Sequence, residues 1–255
     1  MRFYDLSKEE RANHAARISK DILSDIRKNT RTKIAGYFSD EDTYIRKSAY
    51  LSVGKIYDEK KGLQNKIIRL LDSLLEEKDF KVRQTVINAA GEIGIRSFDA
   101  VGCFFDKGLF DEHHSVRNAV IGSLKKMGEK NPAPVLKWAK KYLHHPDKEI
   151  RREICHGLEL RGRKYPQDIL PLLKELQNDP TARVRNTLLH VLGQIAYKKG
   201  CLATVIAELN RWSNRALTDQ AVDEIIDVHD RYKNFSVLTQ AQAIDYISKH
   251  YKNKY

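Results

Sequence analysis

The residues best suited to chemistry lie in one short stretch, where a carboxylate is flanked by guanidinium and imidazole groups. Glu159 stands three residues after His156 and four before Arg163, and Arg152 lies one helical turn before the histidine. Arginine and histidine side chains can donate hydrogen bonds to phosphate and sugar oxygens. A carboxylate held among cations stays ionised. This stretch could therefore contact a phosphate backbone while keeping one charged carboxylate beside it.

These residues belong to a pattern that repeats through most of the chain. A branched aliphatic residue followed by arginine recurs at intervals of 37, 34, 34 and 34 residues, three to five positions after an aspartate. A fixed period in this range indicates a stack of similar units with one face available along its length. The pairs are Ile45-Arg46, Val82-Arg83, Val116-Arg117, Ile150-Arg151 and Val184-Arg185, and the aspartates are Asp42, Asp79, Asp111, Asp147 and Asp179.

The spacing of apolar residues after each pair predicts a helix. With the branched aliphatic residue as position zero, positions four, eight and eleven are apolar in nearly every copy and share one helical face. A second apolar segment precedes each pair, so the unit is a helical hairpin that resembles the HEAT repeat. We predict an all-α, HEAT-like repeat α-solenoid (an α-α superhelix) with a concave groove. Residues 1–255 would form a single solenoid, with capping helices at 1–40, five repeats at 41–212 and further capping helices at 213–255.

Positions two, six, nine and thirteen point away from the apolar face, and we predict that they line the groove. Glu159 stands at position nine, where three of the other four copies have glycine, and Arg161 replaces an aliphatic residue or methionine. Functional sites are expected where a consistent pattern breaks. Two alternatives do not need a functional site. The helix could end early at a Gly162 C-cap, or the polar face could simply contact solvent. The predicted ligand contacts are Lys47, Asn118, Lys125, Arg152, His156, Arg161, Arg163, Asn186 and His190.

The arginine of each aliphatic-arginine pair has a different predicted role. In HEAT-type stacks, aspartates and arginines of adjacent units pair along the interior edge, so these arginines are predicted to be structural. Trp138 and Trp212 lie on first helices and are predicted to be buried, with base stacking as the alternative. The structural arginines are Arg46, Arg83, Arg117, Arg151 and Arg185.

The composition favours a polyanionic partner. The formal net charge is +12, which favours nucleic acid, with simple solubility as the alternative. The basic tail at 249–255 could contact phosphate or fray. No apolar run approaches the roughly 18 residues that a membrane span needs, and three cysteines without metal-ligand spacing predict reduced, buried thiols in a cytoplasmic protein. We predict no metal and no cofactor, because the histidines at 113–114 and 144–145 are neighbours in loops without acidic partners.

One part of the chain resembles a known family. Residues 149–212 are similar to the HEAT-repeat DNA glycosylases of the AlkD/AlkC type, which excise positively charged alkylated bases. The resemblance rests on Glu149-Ile150-Arg151-Arg152, Gly157, Arg161-Gly162-Arg163, Pro166, Leu170-Pro171-Leu172-Leu173, Asp179-Pro180, and Val184-Arg185 through Ile195-Ala196.

The resemblance implies DNA binding and an excision chemistry. Glu159 would be the catalytic carboxylate that stabilises positive charge on the sugar, and Arg161 and Arg163 would clamp the backbone. The chain departs from the AlkD branch, in which an aspartate follows tryptophan at the fourth position, because Trp138 is followed there by Tyr142. Some members of the superfamily bind DNA without catalysis. A scaffold that binds a peptide or an acidic protein is the alternative function.

Overall fold

Helices account for all the regular structure in residues 3–252, which are the residues that the computed structural model describes, the side chain of Tyr4 excepted. The chain divides into two compact units, 1–134 and 135–255. The last three residues of the predicted basic tail, Asn253 to Tyr255, lie outside the described residues. The all-α prediction is confirmed.

The first unit is a series of helical hairpins preceded by one long helix. Ser7 and Glu10 form a capping box at the start of that long helix, with the Glu10 carboxylate accepting from the Ser7 N–H at 2.7 Å. The second helices of consecutive hairpins pack against each other, α3 on α5 and α5 on α7. The helices are α1 (Lys8–Lys28), α2 (Thr32–Ser39), α3 (Thr43–Glu59), α4 (Gln64–Leu75), α5 (Phe80–Ser97), α6 (Gly102–Gly108) and α7 (His114–Lys130).

The second unit continues the same hairpin pattern. Here α12 packs against both α9 and α14, and the first helices α11 and α13 pack together. Helix α8 begins three residues before the division between the units. The helices are α8 (Pro132–Tyr142), α9 (Lys148–Gly157), α10 (Glu159–Gly162), α11 (Pro166–Lys174), α12 (Ala182–Ala196), α13 (Cys201–Leu209), α14 (Arg215–Arg231) and α15 (Gln240–His250).

In four of the five repeats, the side chain of the residue that precedes the second helix caps that helix. Asp42, Asp79 and Asp147 directly precede α3, α5 and α9, and each side chain accepts the backbone N–H two residues later at 2.8 Å. Such a bond satisfies one of the four N–H groups that lack an intrahelical partner. The cap of α7 is His113, whose Nδ1 accepts from Ser115, and the N-cap position of α12 is Thr181.

In the two repeats with a different cap, the aspartate stands two residues further upstream and bridges to the preceding repeat. Arg83 holds Asp111 through Nε at 2.7 Å and Nη2 at 3.0 Å, and Arg151 holds Asp179 at 2.6 and 3.1 Å. Burial alone raises the pKa of each carboxyl group, but the arginine and backbone hydrogen bonds outweigh it and keep both pKa values below the usual range. These two bidentate pairs therefore join consecutive repeats.

All five arginines of the repeated pair have structural contacts, as predicted. Each donates to the backbone carbonyl six residues earlier, which lies in the loop before the second helix, and this contact joins the loop to the helix. The arginine and acceptor residues are Arg46 with Asp40, Arg83 with Glu77, Arg117 with Asp111, Arg151 with His145 and Arg185 with Asp179.

The predicted apolar faces of the helices are mostly buried. Trp138 and Trp212 are buried, as predicted. Cys155 and Cys201 are also buried, and burial raises the pKa of both thiols. Cys103 is exposed, contrary to the prediction, because the neighbouring phenylalanines of α6 fill the interior in its place. None of the described helices is long and apolar enough to cross a membrane.

Loss of a bridging arginine should destabilise the second unit strongly. Arg151→Ala leaves the Asp179 carboxylate buried without its cation, and we expect the free energy of unfolding to fall by about 3–5 kcal/mol. Arg185→Ala, which removes a contact to a carbonyl, should cost about 1 kcal/mol. Urea titrations followed by circular dichroism measure both values, and equal losses would contradict the bridging role of Arg151.

Candidate functional site

The three predicted ligand contacts of the first unit lie on two different second helices. Lys47 is exposed on α3, whereas Asn118 is exposed and Lys125 half-buried on α7. Helix α5 packs against both α3 and α7. Lys47 therefore lies on a different repeat surface from the other two residues.

The second unit brings three predicted contact residues together around Glu159. His156 Nε2 lies 3.2 Å from Glu159 Oε2, and Arg163 forms an ion pair with Glu159 Oε1. The ring of His190 meets that of His156 edge-on, with centroids 5.8 Å apart. The Glu159 side chain is only 4% exposed. We call His156, Glu159, Arg163 and His190 the carboxylate cluster, in which a buried glutamate joins an imidazole to a guanidinium group.

A second set of ion pairs lies beside this cluster. Glu149 accepts from Arg152 Nε at 2.9 Å through one oxygen, and Arg183 lies 3.2 Å from the other oxygen. Arg152 also reaches Glu153, at 3.4 Å. The Arg152 side chain is therefore half-buried and held by carboxylates, rather than fully exposed as the sequence suggests.

Arg161 turns away from the carboxylate cluster. Its Nε lies 2.8 Å from Asp168 Oδ2, and its guanidinium group stacks on the Tyr165 ring, 3.8 Å from the centroid. The neighbouring Gly162 is not a left-handed C-cap, since its φ is not positive. It is needed for packing, because a Cβ there would lie 2.8 Å from Cγ1 of Ile195.

The burial of Glu159 follows from the packing of consecutive second helices at position nine. A Cβ at Gly54 would lie 2.6 Å from Cβ of Glu92 on the next second helix, and one at Gly91 would lie 2.8 Å from Cβ of Ser123. Position nine therefore faces the adjacent second helix, which corrects the prediction that it lines an open surface. At Glu159 the second helix is interrupted between α9 and α10, and a carboxylate oxygen lies within 4.8 Å of a ring nitrogen of His190 on α12.

An open cleft of about 430 Å³ lies next to the carboxylate cluster, between the exposed edges of α9 and α12. Every residue that lines it can donate a hydrogen bond, and several match the predicted contacts. We call it the donor cleft, and its lining residues are Arg152, His156, Arg183, Asn186, Thr187 and His190.

Arg183, Thr187 and the buried Gln194 were not predicted from the sequence. Gln194 Oε1 accepts from Arg163 at 2.5 Å, while its buried Nε2 has no hydrogen-bond partner among the residues that the structure describes. The sequence does contain a pattern that indicates Arg183 and Thr187. Arg183, Asn186, Thr187 and His190 stand at i, i+3, i+4 and i+7, the spacing of one helical face.

A second cleft on the same unit has the opposite character. It lies between α12 and α14, and three of its lining residues are carboxylates. It shares Asn186 and His190 with the donor cleft, so the side chains change from cationic to anionic across α12. We call it the acidic cleft, and its lining residues are Asn186, Leu189, His190, Gln220, Asp223, Glu224, Asp227 and Arg231.

Comparison with known proteins finds similarity in structure alone. No family model and no curated protein matches the chain. A chain from the structure of Kap95p with RanGDP aligns with 85% of this chain and 31% of its own length, at 14% identity and a TM-score of 0.49. YibA of Escherichia coli aligns over 96% of this chain and 98% of its own, at 17% identity and a TM-score of 0.45. An archaeal HEAT-like repeat protein from Thermococcus onnurineus aligns with 86% of this chain and 88% of its own length, at 17% identity and a TM-score of 0.42. The fold assignment rests on the helices and contacts of this chain itself.

The burial of Glu159 predicts that Arg163 is needed for stability. Arg163→Ala leaves the carboxylate without its cation, and we expect the free energy of unfolding to fall by about 3 kcal/mol. Arg183→Ala serves as the control, since its side chain is 64% exposed and its loss should cost less than about 1 kcal/mol. The double variant Glu159→Gln/Arg163→Ala should be more stable than Arg163→Ala, and chemical denaturation measures all of these. A lower stability of the double variant would contradict this role.

Proposed function

We propose that this chain is a helical-repeat protein that binds nucleic acid through the sugar-phosphate backbone at the donor cleft. The observation that carries the proposal is that all six residues lining this cleft can donate hydrogen bonds. Guanidinium, imidazole, amide and hydroxyl groups are the side chains that contact phosphate and sugar oxygens. The net charge of +12 favours the same partner.

The arginines of the donor cleft can exchange their carboxylate partner for a phosphate. Arg152 and Arg183 share Glu149, and Arg152 is held by Glu153 as well, so Arg183 is the less firmly held of the two. The exposed Arg183 side chain can turn toward a ligand without disturbing the helix that carries it. A phosphate in the cleft would then be held by a guanidinium group and by the neutral donors Asn186 and Thr187.

The resemblance of residues 149–212 to the AlkD/AlkC-type glycosylases favours DNA as the nucleic acid. The resemblance assigns backbone contacts to Arg161 and Arg163, but Arg163 pairs with Glu159 in the carboxylate cluster and Arg161 pairs with Asp168. Backbone contact would therefore come from Arg152 and Arg183 in place of these two.

The contacts of Glu159 support binding without base excision. A carboxylate that stabilises positive charge on a sugar must lie beside it, in the open site. Glu159 is buried, and its oxygens face His156 and Arg163. We propose that Glu159 positions these two side chains and leaves the chemistry of the sugar unchanged.

A protein-binding scaffold is the second candidate, and the acidic cleft is the observation that favours it. Arg231 pairs with Glu224 and Asp227, but three carboxylates outnumber this one arginine. The cleft would therefore repel a phosphate backbone and attract lysine or arginine side chains. In this function a basic peptide would lie between α12 and α14.

Duplex binding should weaken steeply with salt. We expect fluorescence anisotropy with a labelled duplex to show tighter binding at low ionic strength, with a slope of about 0.9 in log K against log salt for each phosphate contact. Arg183→Ala should lower that slope by about 1 and weaken binding similarly for all sequences.

Arg211→Ala is the matched control for this experiment. Arg211 is an exposed arginine that pairs with Glu208 at 3.2 Å, as Arg183 pairs with Glu149 at the same distance. Arg211→Ala should leave the affinity for the duplex and the slope of log K against log salt unchanged. Equal effects of the two variants would contradict the donor cleft as the binding site, and binding of a lysine-rich peptide without duplex binding would favour the scaffold.

The protein should release no methylated purine from alkylated duplex DNA. The expectation follows from the burial of Glu159, and chromatography of released bases measures it under conditions where the duplex is bound. Release by the native chain that is lost in Glu159→Gln would show instead that this carboxylate is catalytic.

A further inference from the structure

Two histidines and a carboxylate converge beside the donor cleft in the manner of metal ligands. One ligand atom from each of His156, Glu159 and His190 lies within 4.8 Å of the others. We propose that these three residues bind a divalent transition-metal ion, with Zn²⁺ as the best-suited ion. The proposal does not depend on nucleic-acid binding.

The ligand set matches the preference of this class of ion. Imidazole nitrogen suits zinc, copper, iron and nickel, whereas calcium and magnesium take oxygen ligands. Two histidines and one glutamate form a known ligand set of open zinc sites, in which water fills the fourth position. We therefore expect selectivity for Zn²⁺, Co²⁺ or Ni²⁺ over Mg²⁺.

The distances require a small adjustment. Ligand atoms on one tetrahedral zinc ion lie about 3.3 Å apart, as follows from bonds of about 2.0 Å. His156 Nε2 and Glu159 Oε2 already lie 3.2 Å apart. His190 is half-buried at the edge of the cleft, so a change in its side-chain torsions can bring its ring to the same ion.

The carboxylate is oriented by residues behind it. Glu159 Oε2 faces His156, while Oε1 is held by Arg163, which in turn donates to Gln194. Such outer partners fix the orientation of a ligand and tune its affinity for the ion. Because Glu159 is buried, its Oε2 is held in a defined place.

The local charges permit a dication despite the nearby arginines. Arg152 and Arg183 are balanced by Glu149 and Glu153, and Arg163 by Glu159. The surroundings are thus close to neutral before the histidines are counted. The donor cleft, which both histidines line, provides a path for the ion and room for a water or an anion on its open side.

The sequence alone does not reveal this site because the histidines are 34 residues apart. That distance is one repeat, and both stand at position six of their repeats. Packing of α12 against α9 brings them together.

Metal titration of the untagged protein tests the proposal. Isothermal titration calorimetry with Zn²⁺ should give one site per chain, and Co²⁺ should give the visible absorption of a tetrahedral ion, with no heat from Mg²⁺. His190→Ala should weaken Zn²⁺ binding by at least about 100-fold, since it removes a direct ligand, and Gln194→Leu by about tenfold, since it removes an outer partner.

The control is a variant that removes two histidines elsewhere, His113→Ala/His114→Ala, which should bind Zn²⁺ like the native chain. Circular dichroism and melting temperature check that each variant folds; His190 is half-buried, so its replacement should preserve the fold. Absence of Zn²⁺ binding to the native chain, or equal binding by the native chain and a folded His190→Ala variant, would overturn the proposal.

Discussion

Consecutive second helices pack so closely that position nine of the first two repeats has room only for glycine. A Cβ at Gly54 or Gly91 would overlap the following second helix. Close packing of this kind leaves no space for a polar side chain without a partner. The fourth repeat breaks the rule with Glu159, and the surrounding cluster follows from that one substitution in the pattern. The helix is interrupted there, and an arginine and a histidine contact the carboxylate.

A second constraint applies to the loops, because their backbone carbonyl groups need hydrogen-bond donors. The five arginines of the repeated pair donate to these carbonyls, and two of them also hold an aspartate of the following repeat. Because each such pair is almost fully buried, it stabilises one particular arrangement of neighbouring loops. The arginines of the repeated pair thus stabilise the packing of the repeats. Arginines at other positions, such as Arg183, are the ones available to a ligand.

In the second unit, the charged side chains on the two sides of α12 differ in sign. On one side, the donor cleft offers guanidinium and imidazole groups, and on the other, the acidic cleft offers three carboxylates. A phosphate backbone suits the first and a basic peptide the second. Asn186 and His190 line both clefts, so a ligand in either one would contact the same helix.

The repeat period was sufficient to predict the all-α hairpin repeat and the structural role of its arginines. These features depend on contacts that recur at a fixed period, and a period is visible in one dimension. The burial of Glu159, the contact of Arg161 with Asp168 and the meeting of His156 with His190 became known from the three-dimensional structure alone. They depend on how individual side chains pack where helices meet, and a spacing along the chain does not specify that packing.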